Sequence, residues 1–123
     1  MDCIFCKIIN GEIPCYKVYE DDKVLCFLDI SPKANGHTLV IPKEHTLDIT
    51  TIDNDTLLYV YSIAKKIAKE YESKLGIKGY MLLQNNGKPQ EVKHYHLHII
   101  PVYENDEKLI DVKDVYEKIG TIS

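Results

Sequence analysis

Three of the five histidines alternate with apolar residues in the stretch His94-Tyr95-His96-Leu97-His98-Ile99-Ile100, which Pro101 follows. Strict alternation predicts a β-strand with two unlike faces, on which neighbouring side chains of one face lie roughly 7 Å apart. We therefore expect the three imidazoles to project from one face and the apolar residues between them to enter a core. A neutral imidazole is a competent nucleophile near pH 7 because its unperturbed pKa is about 6.5. The stretch thus predicts nucleophilic or acid–base chemistry along one face of a strand.

A second group with possible chemistry is the pair Cys3 and Cys6, spaced as C-x2-C. This spacing is compatible with zinc, but a tetrahedral site needs two further nitrogen or sulfur ligands. The alternative is that both cysteines are buried apolar residues. Cys15 and Cys26 have no partner at a ligand spacing, and we expect them to be core thiols.

Length and charge limit the possible functions. The chain has 123 residues, with 45% hydrophobic and 28% charged residues, which predicts a single globular domain over residues 1–123. The net charge is −4, and all fifteen basic residues are lysine. This composition argues against a nucleic-acid-binding surface. Without an arginine fork, any phosphate must be held by imidazole, lysine, amide side chains or backbone N–H groups.

The sequence shows neither an N-terminal signal peptide nor an apolar run of the roughly 18 residues that a membrane span requires. We therefore expect no membrane partner. Four cysteines without an export signal suggest thiols or a metal site instead of disulfides. The cytoplasm is the expected compartment.

Periodicity and turn residues predict an α+β fold with a mainly antiparallel five-stranded sheet, one short helix and one long helix. The short helix spans 3–10, and the long helix begins near Asp53-Asn54-Asp55 and ends at Gly76. Its predicted apolar stripe includes Leu58 and Tyr61. The tail, about 104–123, is charged and shows only a weak helical period. The predicted strands are 16–19, 23–29, 37–42, 80–84 and the histidine strand 94–100.

The motif His94-x-His96-x-His98 with its two following apolar residues resembles the signature of the histidine triad (HIT) superfamily of nucleotide hydrolases and transferases. The resemblance extends over residues 2 to about 103, and it is greatest to the bacterial histidine triad nucleotide-binding proteins. It rests further on Asp2–Pro14, Val18–Asp22, Phe27-Leu-Asp-Ile-Ser-Pro32 and Gly36-His-Thr-Leu-Val-Ile-Pro-Lys-Glu-His45. The resemblance implies a HIT-like fold and a homodimer.

The resemblance also implies a role for each catalytic residue. The central histidine, His96, would attack the α-phosphorus and become nucleotidylated, and water would then release the nucleoside monophosphate. His98 would contact the phosphate or the leaving atom, where an imidazolium stabilises developing charge or protonates the leaving group. His37 matches a histidine near the phosphate, and its alternative is a capping residue at the start of a strand. Gln90 matches an amide at the scissile bond, and its alternative is an exposed loop residue.

The nucleotide-binding residues follow from the same resemblance. Asp29 matches the carboxylate that accepts the ribose hydroxyls, which is chemically sensible for an acceptor-only group. Asn85 matches an amide on the phosphate or ribose side. The full predicted set is Phe5, Ile8, Phe27, Asp29, Ile30, Asn85, Gln90, Glu91, Val92, His96 and His98.

The zinc-binding branch supplies the two missing ligands of the cysteine pair. His45 follows Ile41-Pro42-Lys43 at the position of one ligand, and His94 is the other. Four protein ligands make a closed, structural zinc site instead of a hydrolytic one. No organic cofactor is expected.

The chain departs from many relatives before the triad, where it has Pro89-Gln90-Glu91-Val92 in place of Gly-Gln-Ser/Thr-Val. The resemblance implies purine nucleoside phosphoramidates, such as those of adenosine, and aminoacyl adenylates as substrates. The alternatives are dinucleoside polyphosphate hydrolysis, against which Glu91 and the absence of arginine weigh, and a purine-nucleotide-binding regulatory module without turnover. A purely structural zinc protein is a third alternative.

Overall fold

A computed structural model of the protein describes residues 3–123, and Met1 and Asp2, which open the predicted domain, lie outside the described residues. The described chain has the predicted α+β fold with a five-stranded antiparallel sheet. None of its helices combines the length and apolar character that crossing a bilayer requires. The elements are α1 Ile4–Ile9, β1 Lys17–Glu20, β2 Val24–Leu28, β3 Thr38–Pro42, α2 Asn54–Lys74, β4 Gly79–Leu83, β5 Leu97–Val102 and α3 Val112–Ile119.

The sheet has the strand order β1-β2-β3-β5-β4, and β2 and β3 are buried along their whole length. Side chains of a strand alternate between faces, so Cys26 and Leu28 belong to the core beneath α2 and α3, whereas Leu25 and Phe27 pack with Phe5 of α1. Helices therefore cover both faces of the central strands.

Helix α2 begins at the predicted cap, where the Asp53 carboxylate accepts a hydrogen bond of 2.7 Å from the Thr56 backbone N–H. Leu58 and Tyr61 of the predicted stripe are exposed, with 71% and 39% of their surface accessible. At 3.6 residues per turn, Leu58 projects roughly 150° away from the centre of the buried stripe. That stripe consists of Val60, Ile63, Ala64, Ile67, Ala68 and Tyr71.

The structure adds α3 in the charged tail, where Val115 and Ile119 are buried in the α2 core. Strand β5 begins at Leu97, three residues later than predicted. Its neighbour β3 ends at Pro42, which has no N–H for the ladder, and the Pro42 carbonyl is bonded by His94. The preceding residues nevertheless keep the alternation, because Tyr95 is fully buried in the α2 core on the other face.

Candidate active site

The His96 ring is held by the backbone of its own strand. Its Nδ1 lies 2.7 Å from the His94 carbonyl oxygen. Because a carbonyl only accepts, Nδ1 carries the hydrogen and Nε2 retains its lone pair. The ring is 4% exposed, and it lies on the wall of an open cavity. The neutral His96 ring therefore presents the Nε2 lone pair where a nucleophile is predicted.

His98 has the opposite arrangement. The Lys33 backbone N–H donates to His37 Nδ1 at 3.0 Å, so the hydrogen of His37 lies on Nε2. This Nε2–H lies 2.9 Å from His98 Nδ1 and donates to it, which leaves the hydrogen of His98 on Nε2. The rings of His96 and His98 are only 4.9 Å apart. Two neighbouring imidazoles thus differ in the nitrogen that carries the hydrogen.

Burial keeps His98 and His37 neutral. Burial, with smaller contributions from His96 and His37, lowers the pKa of His98 to about 4. Burial also lowers the pKa of His37, although the Asp29 carboxylate opposes this shift from 3.6 Å. In the free site His98 is therefore a neutral hydrogen-bond donor at pH 7, whereas the sequence suggests an imidazolium.

The loop before β3 positions His37. Gly36 has φ +92°, a conformation that strains any other residue, and a Cβ there would also crowd Leu75 Cδ1 at 2.7 Å. The neighbouring Asn35 side chain accepts from the Ile110 backbone N–H at 3.0 Å, which ties the loop to the C-terminal tail. His37 itself is 2% exposed and lies behind His98, off the cavity wall.

A cavity of about 210 Å³ opens between α1, β2 and residues 94–100, which we call the histidine segment. Its wall includes every predicted nucleotide-binding residue except Asn85 and Gln90, namely Phe5, Ile8, Phe27, Asp29, Ile30, Glu91, Val92, His96 and His98. Sequence reasoning missed Ile4, Ile13, Pro14, Cys15, Leu28 and Leu39. Of these, Ile4 could have been found from its helical spacing to Ile8.

The cavity has an apolar end and a polar end. At the apolar end the rings of Phe5 and Phe27 meet edge to face with centroids 5.6 Å apart. At the polar end Asp29 is held by the Ser31 backbone N–H, which donates to Oδ1 at 2.8 Å. An apolar slot that also carries a carboxylate and two imidazoles suits the base, the sugar and the phosphate of a nucleotide.

Gln90 and Asn85 lie off the cavity wall. Gln90 is 3% exposed, and its amide Nε2 donates to the Leu47 carbonyl at 2.6 Å. Its Oε1 is buried without a hydrogen-bond partner among residues 3–123. Asn85 is half-buried in the loop after β4. Gln90 is thus a buried residue, which neither interpretation of the sequence anticipates.

The four predicted metal ligands come together from three parts of the chain. The ligand atoms of Cys3, Cys6, His45 and His94 all lie within 4.8 Å of one another. The His94 Nδ1 lies 3.4 Å from Cys3 Sγ, 3.7 Å from Cys6 Sγ and 3.1 Å from His45 Nδ1. With Zn–S and Zn–N bonds of about 2.3 and 2.0 Å, tetrahedral zinc places its ligand atoms roughly 3.3–3.8 Å apart.

The tautomer of His94 also fits a metal. Its Nε2 lies 2.8 Å from the Pro42 carbonyl and therefore carries the hydrogen, so the lone pair of Nδ1 faces the other three ligand atoms. Burial lowers the pKa of His94 and raises that of Cys6. The donor set and its geometry fit a structural zinc ion.

The cluster of Asp29, His37 and His98 is a different case. Its ligand atoms also lie within 4.8 Å of one another. A metal on His37 Nε2 would require a hydrogen on Nδ1, and that hydrogen would face the Lys33 N–H. Hydrogen bonds, and not a metal ion, therefore explain why these three side chains lie together.

Comparison with known proteins gives consistent matches. A family model described as the HIT domain matches residues 10–105. An uncharacterised HIT-like protein of Methanocaldococcus jannaschii is 50% identical over 115 residues, which are 92% of this chain and 88% of that protein. Adenosine 5'-monophosphoramidase hnt1 of Schizosaccharomyces pombe is 45% identical over 103 residues, 82% of this chain and 74% of that protein. A crystal structure of a zinc-bound histidine triad family protein from Mycobacterium smegmatis has a TM-score of 0.90 at 35% identity, covering 97% of this chain and 91% of that chain.

Proposed function

The chain belongs to the HIT domain family, and from this premise we propose that it is a nucleotide hydrolase that releases a purine nucleoside monophosphate from a phosphoramidate or mixed anhydride. The observation that carries the proposal is the pair of opposite tautomers on the cavity wall. His96 offers a lone pair and His98 offers an N–H to the same substrate group. The phosphoramidase activity in the name of the S. pombe relative supports a P–N bond as the substrate.

In the proposed reaction the Nε2 lone pair of His96 forms a bond to the α-phosphorus as the bond to the leaving group breaks. The His94 carbonyl, bonded to Nδ1–H, stabilises the positive charge that the phosphorylated ring acquires. The Nε2–H of His98 donates a hydrogen bond to the phosphate and stabilises the charge that develops on its oxygens, and water gives the leaving nitrogen its proton. Water attacks the nucleotidyl-histidine, releases the monophosphate and restores His96.

The other end of the cavity would hold the nucleoside. The Asp29 carboxylate would accept hydrogen bonds from the ribose hydroxyls, since Oδ1 is already held by one backbone donor and lone pairs remain on both oxygens. Phe5, Ile8, Phe27 and Ile30 would enclose the purine through apolar contact. We further propose that Gln90 acts by supporting the loop 47–49 and not at the scissile bond.

A structural zinc ion held by Cys3, Cys6, His45 and His94 forms part of the proposal. The ion would cross-link α1 to the histidine segment. It would take no part in hydrolysis, because four protein ligands leave no open coordination position. None of the four cysteines forms a disulfide within residues 3–123, which suits a reducing compartment such as the cytoplasm.

We also propose a homodimer. Strand β4 is an edge strand with four consecutive exposed apolar residues, Tyr80, Met81, Leu82 and Leu83. Its outer edge pairs with no other strand of residues 3–123. Long apolar edges invite pairing, and native proteins usually cover them. A second copy of the chain would bury this strand.

The first experiment is to measure AMP release from adenosine 5′-phosphoramidate. We expect turnover by the wild type and a loss of roughly 10³-fold or more in His96→Ala, because the variant lacks the nucleophile. Lys93→Ala is the matched control, since Lys93 is exposed and, among residues 3–123, its side chain bonds only the Gly87 carbonyl. We expect this variant to keep wild-type turnover.

Failure of the wild type to cleave the P–N bond while it binds AMP would contradict the phosphoramidase proposal. Cleavage of dinucleoside polyphosphates in the same assay would then favour the polyphosphate hydrolase. Tight binding without turnover of either substrate would favour a regulatory module.

A further inference from the structure

Helix α1 has two functional faces. Cys3 caps the helix and Cys6 lies within it, so both of its thiols belong to the metal cluster. Ile4, Phe5 and Ile8 of the same helix form part of the cavity wall. A helix of six residues is far below the length that is stable by itself. The position of this wall therefore depends on what anchors α1.

Phe5 connects the two faces. Its ring lies 5.9 Å from the ring of His94, a predicted ligand, and 5.0 Å from the ring of His96, the predicted nucleophile. It also lies 5.6 Å from Phe27 at the apolar end of the cavity. A shift of α1 would therefore change the base-binding end and the packing against the nucleophile together.

His94 provides a second connection. Its Nδ1 points into the metal cluster, whereas its carbonyl oxygen holds the Nδ1–H of His96 at 2.7 Å. Its Nε2 is anchored on the Pro42 carbonyl. One residue thus belongs to both sites, with its ring in the cluster and its backbone against the nucleophile.

We propose that Cys3, Cys6 and His45 are positioning residues for the nucleotide site, so that the metal in their cluster and the nucleotide in the cavity strengthen each other's binding. The proposal rests on the proposed function for the identity of the nucleotide. By thermodynamic linkage, any factor by which the metal tightens nucleotide binding is also the factor by which the nucleotide tightens metal binding. The connection through α1 would affect how tightly the purine base is bound. The connection through His94 would affect the orientation of His96.

The direct test is equilibrium competition for zinc between the zinc-loaded protein and a chromophoric chelator, with and without AMP. We expect saturating AMP to tighten zinc binding by roughly tenfold, within the usual range of coupling between sites. Adenosine, which contacts α1 through its base, should give most of this effect, and inorganic phosphate should give less. Equal zinc affinity with and without AMP would overturn the proposal.

The reciprocal test measures AMP binding by calorimetry in zinc-loaded wild type and in Cys6→Ala, which lacks one ligand. We expect AMP affinity to fall roughly tenfold in Cys6→Ala, with KM for the phosphoramidate rising more than kcat falls. Cys26→Ala is the matched control, because this thiol is fully buried in the other core and takes no part in the cluster. It should leave AMP affinity unchanged.

The chelator measurement uses only the zinc-loaded protein, so it remains decisive if Cys6→Ala fails to fold. The two proposals also fail separately. Zinc binding that AMP tightens without any P–N cleavage would contradict the hydrolase and support the coupling. P–N cleavage by a protein whose zinc affinity does not change with AMP would support the hydrolase. It would overturn the coupling between zinc binding and nucleotide binding.

Discussion

Two backbone groups distant from each other in the sequence give His96 and His98 opposite tautomers. The His94 carbonyl places the hydrogen of His96 on Nδ1, and the Lys33 N–H, acting through His37, places the hydrogen of His98 on Nε2. One nitrogen of a neutral imidazole cannot be donor and acceptor together. In the proposed reaction the two residues would therefore divide the tasks of attack and hydrogen-bond donation.

Substitution of His37 tests this division at the level of a single residue. His37→Gln keeps an acceptor oxygen and a donor nitrogen on one carbon, which can reproduce the bonds to Lys33 and His98. His37→Leu keeps the bulk and removes both bonds. We expect Leu to lower kcat by roughly 10- to 100-fold and Gln to cost much less. Long-range ¹H–¹⁵N NMR should show the Nε2–H tautomer of His98 in the wild type and the Gln variant. Equal kcat and an unchanged His98 tautomer in the Leu variant would contradict the assignment.

The low pKa of His98 predicts a pH dependence of stability. Its pKa is about 4 in the folded protein and about 6.5 in the unfolded chain. Between these values the unfolded chain binds more protons, so the free energy of unfolding should fall as the pH falls from 6.5 to 4. Urea unfolding of the wild type and His98→Gln should show a shallower fall in the variant. Parallel curves for the two proteins would contradict this prediction.

Among the elements, β5 and the segment before it have two different faces: one lies against the cavity, and the other packs into the core. Leu97 and Ile99 are buried in the core beneath α2, and His98 faces the cavity on the α1 side. The register pairs His98 with Leu39, which also lines the cavity. The cavity face of the strand is thus supported by its apolar face, which packs against the longest helix of the described chain.

The start of α2 offers a prediction at this scale. Asp53→Ala removes the side chain that accepts the Thr56 N–H, and we expect a loss of about 1 kcal/mol in the free energy of unfolding. Asp55→Ala is the matched control, since Asp55 is acidic and in the first turn but is not the cap. It should cost less, because only the interaction with the helix dipole is lost. Urea titrations at one pH give both values, and an equal loss in both variants would argue against a capping role.

Considered as a whole, the molecule places its two sites on one face of the sheet and its larger core on the other. The metal cluster and the cavity lie on the α1 side, and α2 and α3 cover the opposite side. The exposed apolar edge strand β4 lies at one end of the sheet. This asymmetry suits a subunit that associates through the edge of its sheet.

The proposed dimer predicts that charged residues introduced on edge strand β4 will lower the mass of the protein in solution. We expect the wild type to have the mass of two chains by light scattering, and the double variant Met81→Lys, Leu83→Lys to have the mass of one, because both side chains are exposed on β4. Leu109→Lys, at an exposed apolar residue outside the sheet, should remain dimeric. A monomeric wild type would contradict the proposal.

The sequence by itself determined those features that depend on local spacing. The alternation from His94 onward indicated which residues face the cavity and the metal cluster. Asp53 and Gly76 located the long helix, whose N-cap is Asp53 and whose C-cap is Leu75, the residue before Gly76. The resemblance of short motifs then indicated which residues would line the cavity, and most of them do. These features follow from periodicity and turn chemistry, which act over a few residues.

Only the tertiary structure decided the features that depend on contacts between distant residues. The tautomer of His94 is set by Pro42 and that of His98 by His37, and the Gln90 amide donates to the Leu47 carbonyl. The exposure of Leu58 likewise depends on which side of α2 meets the sheet. A hydrogen bond between residues some forty to seventy positions apart leaves no periodic trace in the sequence, because folding alone brings its donor and acceptor together.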